Sequence, residues 1–389
     1  ETIRDNATTA MQEAEKAQAL ADLEKAKETQ KIADKAAIDR LTILVKEGEL
    51  EATRRDALNQ LEKDAARAKE DIAKNPNLTK EQVDKALEDV QKDLDKAKTA
   101  INEATTPDAV QAEMDKGVAA LAKDVLDAAK QDAKNKIAKD AAAAKEAIDS
   151  NPNLSDEEKE AAKKAVDTDV QAATEAIDAS TSPVEAQSAE DKGVGSIAQD
   201  VLDAAKQDAK NKIAKEVDAA KSAIDANPNL TDAEKKTFTD AVDAEVAKAN
   251  DAISAATSPA DVQKEEDAGV AAIAEDVLDA AKQDAKNKIA KEAESAKKAI
   301  DTNPNLTPEE KESAKKAIDT DAQAATAAID KASTPDAVQV EEDKGVAAIN
   351  LITAKADAKG AVAAKLADEI KKLEDKQAEA EKAIDTSTM

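Results

Sequence analysis

Residues 124–139 read Asp-Val-Leu-Asp-Ala-Ala-Lys-Gln-Asp-Ala-Lys-Asn-Lys-Ile-Ala-Lys, and the same sixteen residues return unchanged at 200–215 and 276–291. Each copy begins 76 residues after the one before, and other landmarks keep the same interval. Asn-Pro-Asn-Leu stands at 75–78, 151–154, 227–230 and 303–306. Thr/Ser-Pro stands at 106–107, 182–183, 258–259 and 334–335, and Gly at 117, 193, 269 and 345. Unrelated landmarks held in register without an insertion mark a tandem repeat. The frame set by the glycines gives a helical N-terminal segment at 1–40 and repeats at 41–116, 117–192, 193–268 and 269–344. A partial repeat follows at 345–389.

Within a unit the pattern is helical. Ile273, Val277, Leu278, Ala281, Ala285, Ile289, Ala296 and Ile300 recur at spacings of three and four, which lays one apolar stripe along a helix. Asn303-Pro304 ends it, because Pro lacks the N–H and disfavours helix in the residue before it. A capping box opens the next helix in every unit: Thr79 with Gln82, Ser155 with Glu158, Thr231 with Glu234, and Thr307 with Glu310. The leucine of each Asn-Pro-Asn-Leu precedes that cap, where a hydrophobic staple sits. Ala314, Ala317, Ile318, Ala325, Ala328 and Ile329 form the second stripe. Pro335 then starts a third helix at a favoured first-turn position.

The third helix keeps its phase through the glycine. Val262, Gly269, Val270, Ile273 and Val277 hold the spacing, as do Val338, Gly345, Val346, Ile349 and Ile352. One Gly costs roughly 1 kcal/mol in a helix and does not break it. The third helix of each unit is therefore expected to continue into the first helix of the next. The expected fold is all-α: three-helix, spectrin-like repeats joined by continuous helices into an elongated rod. On this reading Gly→Ala at 193 and 269 should stabilise by roughly 0.5–1 kcal/mol per site.

Composition agrees. Phe238 is the single aromatic, and His, Cys, Trp and Tyr are absent. Ala buries little area, so many thin contacts must replace a few thick ones. The balance of 57 Lys and Arg against 85 Asp and Glu leaves a net charge of −28. Such a surface repels nucleic-acid phosphates and anionic headgroups, which argues against both as partners. No run of 18 apolar residues exists, so no membrane insertion is expected in this segment. Neither a signal peptide nor a sorting signal is recognisable, which reads as a segment of something longer.

Lys-Ile-Ala-Lys leading to an Ala-Ile-Asp ending, then Asn-Pro-Asn-Leu-Thr-x-Glu-Glu-Lys, a second Ala-Ile-Asp and Thr-Pro-Asp-Ala-Val, resembles a tandem helical repeat of unknown function. That repeat occurs in wall-anchored surface proteins of Gram-positive bacteria, including giant matrix-binding proteins of the Ebh type. The resemblance covers about residues 41–389. It implies a surface-displayed stalk with roles in adhesion, intercellular accumulation or biofilm, and an extracellular, wall-anchored location.

No catalytic constellation is recognisable, and no catalytic, cofactor-binding or metal-binding residue is expected. Without His or Cys the common general bases, thiol nucleophiles and zinc ligands are missing. One motif imitates a calcium loop: Asp149-x-Asn151-x-Asn153 with Glu160, and Asp301-x-Asn303-x-Asn305 with Glu312. Leu154 and Leu306 occupy the position that needs Gly, Ala73 replaces the leading Asp in the first unit, and Lys236 the closing Glu in the third. An Asn-Pro turn feeding a capping box explains all these residues. Phe238 replaces the Ala of positions 86, 162 and 314, and is expected to fill the local core rather than to present an adhesive aromatic. The invariant polar stripe that includes Asn211 and Lys212 could be a ligand face; recent duplication accounts for its identity without one.

The expected function is a non-enzymatic spacer, a monomeric stalk that holds a distal binding domain away from a cell wall. The alternative is a multivalent adhesin, each repeat offering a weak site for a host matrix protein or a neighbouring surface protein. A third reading is an intracellular coiled-coil scaffold.

Overall fold

The computed structural model describes residues 2–28 and 35–387. Of the segments named above, residues 1, 29–34 and 388–389 lie outside the described ones. Among the described residues ten helices run in chain order: α1 Thr2–Glu28, α2 Lys35–Ala73, α3 Lys80–Glu103, α4 Pro107–Asp149, α5 Asp156–Ala179, α6 Pro183–Ala226, α7 Asp232–Ala255, α8 Pro259–Thr302, α9 Pro308–Lys331 and α10 Pro335–Ser387. No strand occurs among the described residues. Helices of 24 residues alternate with helices of 43, 44 and 53, so the third helix of each unit does run on into the first of the next.

Local chemistry sets the boundaries. The long helices stop before each Asn-Pro, and Asn75 turns its amide back onto the carbonyls of Asp71 and Ile72 at the end of α2. Capping boxes with both reciprocal bonds open α3, α7 and α9 at Thr79/Gln82, Thr231/Glu234 and Thr307/Glu310. Thr106 and Ser258 cap α4 and α8, each followed by Pro in the first turn.

The chain divides into two compact units, residues 1–150 with 156–201, and residues 151–155 with 202–389. In the first unit the later part of α2, with α3 and the start of α4, buries Leu61, Ile72, Val90, Ile101 and Leu121. The rest of α4 packs on α5. In the second unit the end of α6 packs with α7 and the start of α8 around Ile213, Ile224, Val242, Ile253 and Ile273. The remainder of α8, with α9 and α10, buries Ile289, Ile300, Ile318, Ile329 and Ile349. Each fully buried Ile or Leu contributes roughly 1.5–3 kcal/mol, so a few branched side chains and many alanines suffice for each bundle. Phe238 is half-buried against the α6–α7–α8 core, as a filler would be.

The glycines sit where neighbouring helices come closest. All four lie inside helices, and no described residue has a positive φ. A Cβ built on Gly269 would lie 2.7 Å from the Ala249 Cβ and 2.9 Å from the Ile213 Cδ1. On Gly345 it would lie 2.5 Å from the Ala325 Cβ and 2.7 Å from the Ile289 Cδ1. Gly117 meets Ala97 and Leu61, and Gly193 meets Ala173 and Ile137, in the same way. Each glycine lets three helices close on one point. Alanine there would collide, so the expected stabilisation by Gly→Ala is overturned.

Candidate functional site: the inter-repeat junction

The sixteen-residue stretch lies where a shared helix passes from one bundle to the next. Within it three aspartates are almost fully buried: Asp132 at 5% exposure, Asp208 at 7% and Asp284 at 6%. A buried carboxylate is costly unless it is hydrogen-bonded. Here each grips the Asn-Pro-Asn-Leu turn about 55 residues before it. Asp208 accepts the backbone N–H of Asn153 at 2.6 Å, the Asn153 side-chain amide at 3.1 Å and the Leu154 N–H at 3.1 Å. Asp284 does the same for Asn229 and Leu230, at 2.5, 3.1 and 3.0 Å. Asp132 accepts the Asn77 N–H at 2.6 Å and its amide at 3.0 Å.

A second residue completes the clasp. The amides of Asn135, Asn211 and Asn287 donate to the carbonyls of Asn77, Asn153 and Asn229 at 2.8, 3.1 and 3.0 Å. Asn287 also donates to the capping-box carboxylate of Glu234, which helps the Thr231 N–H and hydroxyl to hold that carboxyl below the usual range. The turn, the helix cap and the shared helix therefore form one network.

The same stretch also holds the next bundle. Lys130 donates to the Asp178 carbonyl at 2.9 Å and Lys134 pairs with its carboxylate at 2.5 Å, at the end of α5. In the second unit Lys206 reaches the Ser254 carbonyl at 2.9 Å, and Lys286 pairs with Asp330. One short segment thus fastens the turn behind it and the turn ahead of it. That double duty gives the identity of the three copies a structural reason, and Asn211 is engaged by the turn. A third helix contributes Glu190, Glu266 and Glu342, on which the charges of Asp132, Asp208 and Asp284 act. Burial, then those aspartates, pushes the glutamates upward, against the partial relief of a glutamine amide on their own helix.

The fourth turn is fastened differently. Gly360 stands at the clasp position and Ala363 at the asparagine's. Asn303 instead bonds Asp357 at 3.1 Å, and Lys359 pairs with Glu310 at 2.7 Å.

The calcium-like spacing holds ammonium groups. Lys163 bridges Asp149 at 3.0 Å and Glu160 at 2.6 Å, joining the first and twelfth positions of the imitation loop. Lys315 bridges Asp301 and Glu312 at 3.0 and 2.6 Å. Asn153 is committed to Asp208. Among the described residues no group of His, Cys, Asp and Glu is arranged to hold a metal ion. No described helix is long and apolar enough to cross a membrane.

Part of this sequence is shared with relatives of known name. The chain is 31% identical over 259 residues to the extracellular matrix-binding protein EbhA of Staphylococcus aureus strain Newman, across 65% of this chain and 7% of that protein. The same identity and span hold for the extracellular matrix-binding protein ebh of strains NCTC 8325 and COL, of which the match covers 3% and 2%. The chain therefore spans a small fraction of the length of these relatives. The model of the Domain of Unknown Function DUF1542 matches residues 53–128, 129–204, 205–280 and 281–357, each copy beginning in a long helix and ending in the next. By these four consecutive matches the chain belongs to the DUF1542 family.

Proposed function

We propose that this chain is a non-enzymatic spacer in a bacterial surface protein, carrying a distal binding region away from the cell wall. The observation that supports it is the junction. In α4 and again in α8, one unbroken helix serves two bundles, and its buried aspartate and its lysines fasten the turns on either side. Fixed junctions resist bending, which suits a stalk and is not needed for a string of independent binding modules. The surface location rests on the matrix-binding relatives. The reading takes the repeat at 41–116 and its three successors as its units, with no cofactor and no nucleic-acid partner.

A second reading is favoured by the name those relatives carry: a multivalent adhesin whose repeats each bind host matrix weakly. Arrays of one, two and four repeats, passed over immobilised collagens and matrix glycoproteins, separate the two. The spacer gives no saturable binding at micromolar concentration. Saturable binding that strengthens with repeat number replaces it with the adhesin.

A further inference from the structure

The geometry points to a docking groove between α3 and α4 in the first repeat, one that takes a foreign peptide segment carrying an aromatic side chain next to a lysine or arginine. Leu78, Ala86 and Ala128 supply its apolar lining and Asp89, Asp124 and Asp127 its acidic one, around a space of about 330 Å³. Alanines fill little volume where the two helices meet, so the space is built by the sequence. The fourth repeat has the same groove in the same register, lined by Leu306, Ala314 and Ala356 among others, with about 490 Å³. Both volumes fall in the range of roughly 300–1,000 Å³ that holds a ligand.

The third repeat shows what fits. At the position of Ala86 and Ala314 it carries Phe238, whose ring packs half-buried against a core that includes Leu230 and Ala280, the counterparts of Leu78 and Ala128. The first repeat has no such ring. Phe238 is the single aromatic of the chain and is already engaged, so a second copy cannot supply one and the aromatic must come from another molecule. Charge selects the residue beside it. One oxygen of Asp124 is buried without a hydrogen-bond partner. Nearby lysines are committed elsewhere, Lys123 to Asp127 at 2.5 Å and Lys85 to Asp89 at 3.0 Å. An unsatisfied buried acceptor is costly, and an ammonium or guanidinium from the guest brings both the donor and the opposite charge. In the fourth repeat Ile352 replaces Asp124, so that groove takes the ring without selecting the cation. An anchor of one ring and one charge binds with a dissociation constant of order 1 mM, which leaves the spacer without binding at micromolar concentration.

The test is an NMR titration of the full, isotope-labelled chain with acetyl-Phe-Arg-amide, at neutral pH and constant ionic strength, read at the amides of Ala86, Asp124 and Ala128. Their shifts should saturate with a dissociation constant of order 1 mM. Acetyl-Ala-Arg-amide and acetyl-Phe-Glu-amide should each bind there about tenfold more weakly. Ala86→Phe gives the first repeat the side chain that the third already carries, and should abolish the response with the fold retained by circular dichroism. Asp124→Asn should bind the Phe-Arg and Phe-Glu peptides alike. The reciprocal Phe238→Ala should open a site in the third repeat, seen as new shifts at Leu230 and Ala280, because Asp276 there also has a buried oxygen without a hydrogen-bond partner. The groove is overturned by the absence of saturable shifts in wild type or by an unchanged response in Ala86→Phe. Equal binding of the Ala-Arg peptide would be attraction to the net charge alone, and equal binding of the Phe-Glu peptide would remove the role of Asp124; either result also overturns it.

Discussion

Asp284 holds Asn229 at two points, accepting its backbone N–H on one carboxylate oxygen at 2.5 Å and its side-chain amide on the other at 3.1 Å. The two residues are 55 positions apart, and the bond joins the end of one bundle to a helix that has already entered the next. In Asp284→Ala, the Asn229 and Leu230 N–H groups lose their acceptor. A buried donor left unsatisfied costs about 1–3 kcal/mol, and relief of the repulsion on Glu342 offsets part of that. The expected net loss is about 2–3 kcal/mol by urea denaturation, with faster hydrogen exchange at Asn229 and Leu230. Unchanged exchange at those two amides would show that the clasp does not restrain the turn.

The glycine at the centre of each bundle gives the second expectation. Gly269→Ala places a methyl group 2.7 Å from the Ala249 Cβ, so α7 or α8 must shift. Overpacking of this kind costs about 1–3 kcal/mol, against the roughly 1 kcal/mol that Ala gains over Gly in helix propensity. The variant should be less stable than wild type, and Gly269→Ala with Ala249→Gly should recover much of the loss. Gly48 has nothing near its Cβ, so Gly48→Ala should instead stabilise.

The helices, their caps and the continuity of the long helices were legible because each depends on residues close together in sequence: a stripe, a Pro, a hydroxyl with a Glu three residues on. The glycine's packing role was not. Gly269 meets Ala249 and Ile213, which belong to two other helices, and only the assembled bundle brings them to one point. The clasp was missed for a similar reason. Asp284 lies next to Ala285 and in phase with Ala280, on the buried face of α8, and a charged residue in that phase was a readable mark. Its partner lies 55 residues earlier, and nothing in a helical pattern points to it.

Asp124 gives a pH expectation of its own. Burial, then the carboxylates of Asp93 and Asp89 on α3, pushes its carboxyl up to about 6, and one of its oxygens is buried without a hydrogen-bond partner. The ionised form is disfavoured in the fold, so stability at this site is gained as pH falls through about 6 and is lost again on return to neutrality. Asp124→Asn should raise the melting temperature at neutral pH and leave it almost unchanged near pH 5. A drop at neutral pH would mean that the charge is compensated after all. In α10 the equivalent position is Ile352, half-buried against its bundle, so an uncharged residue is tolerated there.

Calcium should have no effect. Lys163 and Lys315 already neutralise the carboxylates that imitate a calcium loop. A cation would have to displace an ammonium and still lack the sharp turn that Gly provides in such loops. Millimolar calcium is expected to leave the melting temperature unchanged. A rise of several degrees, reversed by a chelator and absent from Asp149→Ala/Asp301→Ala, would show a site in these turns.

The spacer reading makes its most direct claim on length. In the second unit α8 spans 44 residues and takes part in two bundles, while α7 and α9 span 24 each. At about 1.5 Å per residue the long helix rises roughly 65 Å and the short one returns roughly 36 Å. Each added repeat should therefore extend the molecule by about 25–35 Å. Small-angle scattering of arrays with two, three, four and six repeats should give a maximum dimension that grows linearly by that amount. Asp→Ala at every clasp should weaken the linearity while leaving helix content nearly constant, because the shared helix remains and only its hold on the turns is lost. Growth as the square root of repeat number in the unmodified array would describe freely jointed bundles and would remove the mechanical case for a stalk.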